Sequence, residues 1–143
     1  MPDRQLLLKA ATTSGYVGQL VERNLRAVGL PAFLLPTLTH IRDLEPVSPT
    51  DISAVAGIPM TTLRDNVQRL VDRRLVRRAP NPADGRSHLL RLTARGRTVA
   101  EAAGDALLDS YLALERSLPR PLASYERALD ELNRSLEGVL DEA

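Results

Sequence analysis

Cysteine is absent from this 143-residue chain, so disulfides, thiolate metal sites and thiol redox sensing are excluded together. Tryptophan is absent too, and Phe33 with three tyrosines makes up the whole aromatic content. A core built mainly from alanine and leucine favours helix packing over a sandwich or barrel. No apolar run approaches the roughly 20 residues that span a bilayer. Leu6-Leu7-Leu8 is too short for a signal peptide and runs straight into Lys9. A soluble, cytoplasmic protein without membrane contact is expected. Lys9 is the only lysine, so the abundance of arginine reflects general composition at least in part.

Catalytic constellations are missing as well. Ser48, Ser53 and Ser87 have no base-and-acid partners in a recognisable arrangement, and no Gly-rich phosphate loop is present. His40 and His88 stand far apart without a ligand set, so each reads as a surface or packing residue and no metal is expected. No residue pattern identifies a cofactor. An enzyme is not expected.

What is present is a segregated charge. The net charge is only +1, yet residues 59–97 hold ten arginines against three aspartates, a surplus of seven positive charges. Residues 98–143 hold ten acids against four arginines, and the first 58 residues balance at five of each sign. A basic middle segment points to phosphate, and the acidic remainder does not. With 43% hydrophobic residues the chain has enough for one domain, or one lobe with a helical appendage.

The periodicity predicts six helices and one hairpin. The first helix covers Leu6 to Val28, with Ala10, Val17, Leu20, Val21, Leu25 and Val28 inward, and Gly29-Leu30-Pro31 ends it. The second turns Leu38, Ile41 and Leu44 to one side, with Pro36 in its first turn, and stops at Glu45-Pro46. Ser48-Pro49-Thr50-Asp51 is a helix start in four residues: cap, first-turn proline, and an acid at the third position. That short helix, with Ile52, Val55 and Ala56 inward, ends at Gly57. After Gly57-Ile58-Pro59 a longer helix runs from about Met60 to Arg73. Leu63, Val67 and Leu70 form its buried stripe, opposite Thr61, Asp65, Gln68 and Asp72. Two helices joined by a tight glycine turn, the second polar-faced, make a helix-turn-helix.

Leu75 to Thr93 then reads as two short strands around a loop of Pro, Asn, Asp and Gly, with arginines on both arms and Arg86 at the tip. Such a hairpin lets a helix sit in one nucleic-acid groove while a finger reaches the next. Thr93 caps a helix to about Leu118, with Val99, Ala103, Ala106, Leu107 and Leu114 inward. Pro119 and Pro121 close it. The last helix spaces Leu122, Tyr125, Leu129, Leu132, Leu136 and Val139 by threes and fours, a seam suited to a second subunit.

The order of these parts resembles the MarR family of bacterial transcriptional regulators. The match rests on Ile52-Ser53-Ala54-Val55-Ala56-Gly57, on Thr61-Thr62-Leu63 with Arg69-Leu70, and on Leu75-Val76-Arg77-Arg78. Asn81-Pro82-Ala83-Asp84-Gly85-Arg86 and Leu90-Arg91-Leu92-Thr93-Ala94-Arg95-Gly96 complete it, so the continuous likeness covers residues 47–97. Four positions depart from the family pattern. Pro59 replaces a frequent serine cap, Asp65 a frequent arginine, Asn66 an apolar residue and Arg74 a glycine.

The resemblance implies a mainly α fold: a winged helix-turn-helix with a two-stranded wing, flanked by N- and C-terminal dimerisation helices. Residues 1–30 would then form a dimerisation helix, 31–97 the DNA-binding lobe, and 98–143 the C-terminal dimerisation helices. It implies a homodimer on a palindromic double-stranded operator, acting as a repressor and modulated by a small aromatic or anionic effector. Thr61, Thr62, Arg64, Asp65, Gln68 and Arg69 of the recognition helix are the candidate contacts to bases and phosphates. Arg77 and Arg78 on the wing arm, with Asp84, Arg86 and Ser87 at its tip, extend the set. Asp84 would hold the turn that aims Arg86 into a minor groove, and Asp65 would either read cytosine or orient Arg64 or Arg69. The alternative is a winged-helix protein-interaction module whose basic face meets an acidic partner.

Overall fold

The computed structural model describes residues 4–143, and residues 1–3 of the expected N-terminal helix segment lie outside them. Helix α1 spans Gln5–Leu25 and a single 3-10 turn covers Ala32–Leu34. Helices α2 (Leu35–Leu44), α3 (Pro49–Ala56) and α4 (Met60–Asp72) follow. Strands β1 (Val76–Pro80) and β2 (His88–Leu92) precede α5 (Ala94–Ser117) and α6 (Leu122–Asp141). The chain divides into two units, one up to Leu107 and one from Leu108. Among the described residues no helix is long and apolar enough to cross a membrane.

The core of the first unit gathers Leu25, Leu34, Leu38, Ile41, Ile52, Leu63, Leu70 and Leu90, all essentially without solvent contact. Burying each such side chain stabilises the fold by about 2 kcal/mol. Helix α4 delivers the predicted stripe of Leu63, Val67 and Leu70 to this core. Asn66, the polar intruder at the stripe's edge, is also buried, and its Nδ2 donates to the buried Thr37 hydroxyl at 3.3 Å. A polar group taken out of water needs such a partner.

Local capping chemistry sets the boundaries. The Ser48 hydroxyl accepts from the Asp51 amide at 3.2 Å to open α3, and Gly57 closes it in the left-handed conformation at φ 64°. Helix α4 ends in a Schellman motif: the Leu75 amide donates to the Leu70 carbonyl and the Arg74 amide to the Val71 carbonyl. Arg74 occupies the left-handed position at φ 62°, where glycine would be unstrained.

The wing is an antiparallel pair in which Val76 faces Leu92, Arg78 faces Leu90 and Pro80 faces His88. Val47 adds a bridge to Leu90 through two backbone hydrogen bonds. Glu45 braces the opposite end: its carboxylate accepts from the Leu92 amide at 3.1 Å and pairs with Arg97 of α5. Thr93 joins three elements. Its hydroxyl donates to the Arg74 carbonyl and accepts from the Gly96 amide, while its own amide donates to the Leu75 carbonyl.

Several residues expected inward are not. Val17, Val55 and Leu114 are exposed, and Leu44 is 40% exposed at the end of α2. Helix α1 is shorter than its periodicity predicts, because the chain turns at residues 26–29 and Gly29 sits at φ 76°. In the second unit the Tyr111 hydroxyl donates to Glu126 at 3.4 Å and the Arg120 guanidinium lies 4.9 Å from the centre of the Tyr125 ring. No residue of α6 is buried, and Leu129 and Val139 of its seam face solvent.

Candidate nucleic-acid interface

With Leu63, Val67 and Leu70 committed to the core, α4 must present its other side to solvent. Thr61, Thr62, Arg64, Asp65, Gln68 and Arg69 are all exposed there. Pro59 precedes the helix and no side chain caps it, so the first-turn amides remain open beside the Thr61 and Thr62 hydroxyls.

Asp65 pairs with Arg69 at 2.9 Å, one turn along the helix. The Arg69 guanidinium also lies over the Phe33 ring, 5.7 Å from its centre. Of the two orienting roles open to Asp65, the one adopted is toward Arg69. Gln68 is engaged at both ends: its Nε2 donates to Asp72 Oδ1 at 2.7 Å, and its Oε1 accepts from Arg78 Nη2 at 3.0 Å. That second bond ties the recognition helix to the wing. Arg64 has no side-chain hydrogen bond or ion pair among the described residues, which leaves its guanidinium available.

The wing loop is organised by two side chains acting on nearby amides. Asn81 Oδ1 accepts from the Ala83 amide and Asp84 Oδ1 from the Arg86 amide, both at 3.0 Å. These Asx turns shape the tip before any partner arrives. Asn81 Nδ2 donates to the Ser87 hydroxyl at 2.9 Å, so Ser87 braces the loop. Among the described residues the Arg86 guanidinium has no carboxylate partner.

Strand alternation separates residues that adjoin in sequence. Arg78, Leu90 and His88 share the wing face turned toward α4, whereas Arg77 lies opposite Arg91 on the other face. Like charges directly across a strand pair repel, so the Arg77–Arg91 pair favours an anion nearby. On the inner face a cleft of about 230 Å³ opens between α3, α4 and the wing. It collects Arg64, Arg78, Arg86 and Ser87 from the predicted set. Thr50 and His88 also line it, and the sequence reading had not placed them at the site. The signal was present in the alternation of His88, Leu90 and Leu92, which puts the imidazole on the same side as two buried leucines.

Residues 35–87 match the model of the MarR family. Among curated proteins none matches the sequence. In fold, the chain is similar to E. coli MarR, solved as a mutant complexed with operator DNA. The TM-score is 0.82 at 24% identity, over 90% of this chain and 94% of that one. It is equally similar to the M. tuberculosis transcriptional regulator MosR solved in complex with DNA, with a TM-score of 0.82 at 24% identity, covering 93% and 96%. Staphylococcus aureus MarR in complex with salicylate and kanamycin aligns over 98% and 93% at 19% identity, with a TM-score of 0.75. The family match is confined to residues 35–87, and the chain as a whole is similar in fold to these solved structures.

Proposed function

We propose that the chain is a dimeric DNA-binding transcriptional regulator of the bacterial cytoplasm, acting as a repressor and not as an enzyme. One observation carries the reading. The recognition helix and wing together present Arg64, Arg78 and Arg86 around a cleft that no carboxylate lines. A duplex supplies the missing negative charge along its backbone. The similar E. coli and M. tuberculosis proteins were solved with DNA, which supports the same role here.

Thr61 and Thr62 would meet phosphate or a thymine methyl, Arg64 guanine or phosphate, and Arg86 the minor groove. Arg77 and Arg78 would hold the backbone. Asp65, Gln68 and Asp84 would act by placing Arg69, Arg78 and the wing tip, and Ser87 by bracing the loop. Exposed apolar faces on α1 (Leu6, Leu7, Leu8, Tyr16, Val17) and α6 (Leu129, Val139, Leu140) support residues 1–30 and 98–143 as the dimerising segments. A dimer places two recognition helices on half-sites about 34–36 Å apart, and a small aromatic or anionic effector would act by favouring another spacing. The salicylate complex of the S. aureus protein supports that last element.

The test is selection of bound fragments from genomic DNA, followed by a salt titration of the selected duplex. A palindromic site with affinity falling steeply between low and moderate salt is expected. A flat salt response would replace this reading with a protein-interaction module.

A further inference from the structure

The cleft between α3, α4 and the wing holds more positive charge than its own carboxylates can balance. Arg64 enters it from α4, Arg78 from β1 and Arg86 from the wing loop. Helix α3 contributes Thr50 and no charged side chain, and His88 enters from the first position of β2. The acids nearest in sequence, Asp51, Asp65 and Asp84, stay out of the lining, and Asp65 is paired with Arg69. Asp51 lies in the first turn of α3 and Asp84 is bonded to the Arg86 amide. Three other arginines of this unit are paired with acids: Arg42 with Asp43, Arg69 with Asp65 and Arg97 with Glu45. Of the cleft's three arginines only Arg78 has a side-chain bond among the described residues, and that is to the neutral Gln68.

Val67 and Leu90 line the cleft and are buried, and the Arg78–Gln68 bond links helix and wing across it. The Asx turn at Asp84 fixes the loop that carries Arg86. His88 faces Pro80 across the strand pair on the inner face, so its ring shares the side of Arg78. Three guanidiniums and an imidazole around a pre-shaped gap are a seat for a tetrahedral or planar anion.

We propose that this cleft seats a single phosphodiester of bound DNA, gripped by Arg64 and Arg78 beside the Arg86 wing tip, with His88 as a third, proton-dependent ligand. The assignment rests on the DNA-binding reading above and makes it more specific. Phosphate in the cleft favours the imidazolium over the neutral ring. Binding therefore takes up a proton, and affinity falls as pH rises through the range where histidine changes charge, about pH 5 to 8. The same chemistry could accept a free anion, which the experiment must separate from the duplex.

The experiment measures binding of a labelled duplex to the full-length chain by fluorescence anisotropy, from pH 5.5 to 7.5 at constant ionic strength. Wild type is expected to weaken about five- to tenfold across that range. His88→Gln is expected to lose the pH dependence, matching wild type at pH 7.5 and falling behind at pH 5.5. His40→Gln, the control at the only other histidine, should keep it. An unchanged pH slope in His88→Gln would overturn the seat and leave DNA binding intact. No duplex binding by wild type at any pH would remove the DNA reading and the seat with it. A second arm replaces the duplex with inorganic phosphate and follows the His88 ring resonance by NMR. Saturation in the low millimolar range would make this a free-anion site and overturn the duplex assignment. Weaker binding supports the phosphodiester as occupant.

Discussion

A Cβ atom at position 96 would lie 2.0 Å from the carbonyl oxygen of Leu75, closer than any side chain can approach a backbone. Gly96 sits in the first turn of α5, and its amide bonds to Thr93, whose own amide caps that same Leu75 carbonyl. The Leu-Thr-x-x-Gly pattern is thus a backbone crossing: the end of the recognition helix, the end of the wing and the start of α5 meet there. Gly96→Ala would gain about 1 kcal/mol of helix propensity. The clash outweighs it, and a net loss of about 2–4 kcal/mol is expected. Urea unfolding measures this, and stability within 0.5 kcal/mol of wild type, on the order of ordinary surface substitutions, would show that the crossing relaxes freely.

Arg74 tests the opposite sign. It is the only described non-glycine residue in the left-handed region, held there by the Schellman hydrogen bonds at the end of α4. Arg74→Gly should stabilise the free protein by about 0.5–1 kcal/mol, the relief of strain partly offset by the freer unfolded chain. Loss of stability would mean that the arginine side chain contributes more than its backbone costs.

Arg86 carries the wing-tip assignment. Arg86→Ala should weaken duplex binding at least tenfold and lower the salt slope by about 1. Its unfolding midpoint should not move, because the guanidinium has no ion-pair partner among the described residues. Asp84→Ala should give a smaller loss, since it removes the Asx turn and not the charge. Equal affinities for Arg86→Ala and wild type would take the wing tip out of the interface.

Asp65 sets the charge of the recognition face through its pair with Arg69. Asp65→Asn frees Arg69 for phosphate, so affinity for mixed-sequence DNA should rise about two- to fivefold, with a steeper salt dependence. A fall on the selected operator alone would instead give Asp65 a base-reading role.

Leu132 tests the interface between subunits. On the proposed dimer, Leu132→Glu puts a charge in the α6 seam, and sedimentation should show a dimer for wild type and monomers for the variant. Tight operator binding should disappear with the dimer. A mutant that remains dimeric would place the interface on other residues.

The chain's own residues determined the elements, because the signals that set them are local. Ser48 reaches an amide three residues on, Gly57 needs only its own φ, and Leu63, Val67 and Leu70 share a face by helical period alone. The turn of the wing was equally legible, since Asp84 acts on the amide two residues away. Tertiary structure decided what depends on distant neighbours. Glu45 reaches Leu92 and Arg97 about fifty residues later, and Asn66 finds Thr37 in another helix. Strand register put Arg78 and His88 on one face and sent Arg77 to the other, a distinction that composition cannot make. Val55 and Leu114 carry an inward signature yet face solvent, because periodicity marks an apolar side without saying what will cover it. The charge surplus of residues 59–97 was written in the sequence; the gathering of Arg64, Arg78 and Arg86 around one cleft without a carboxylate in its lining required the fold.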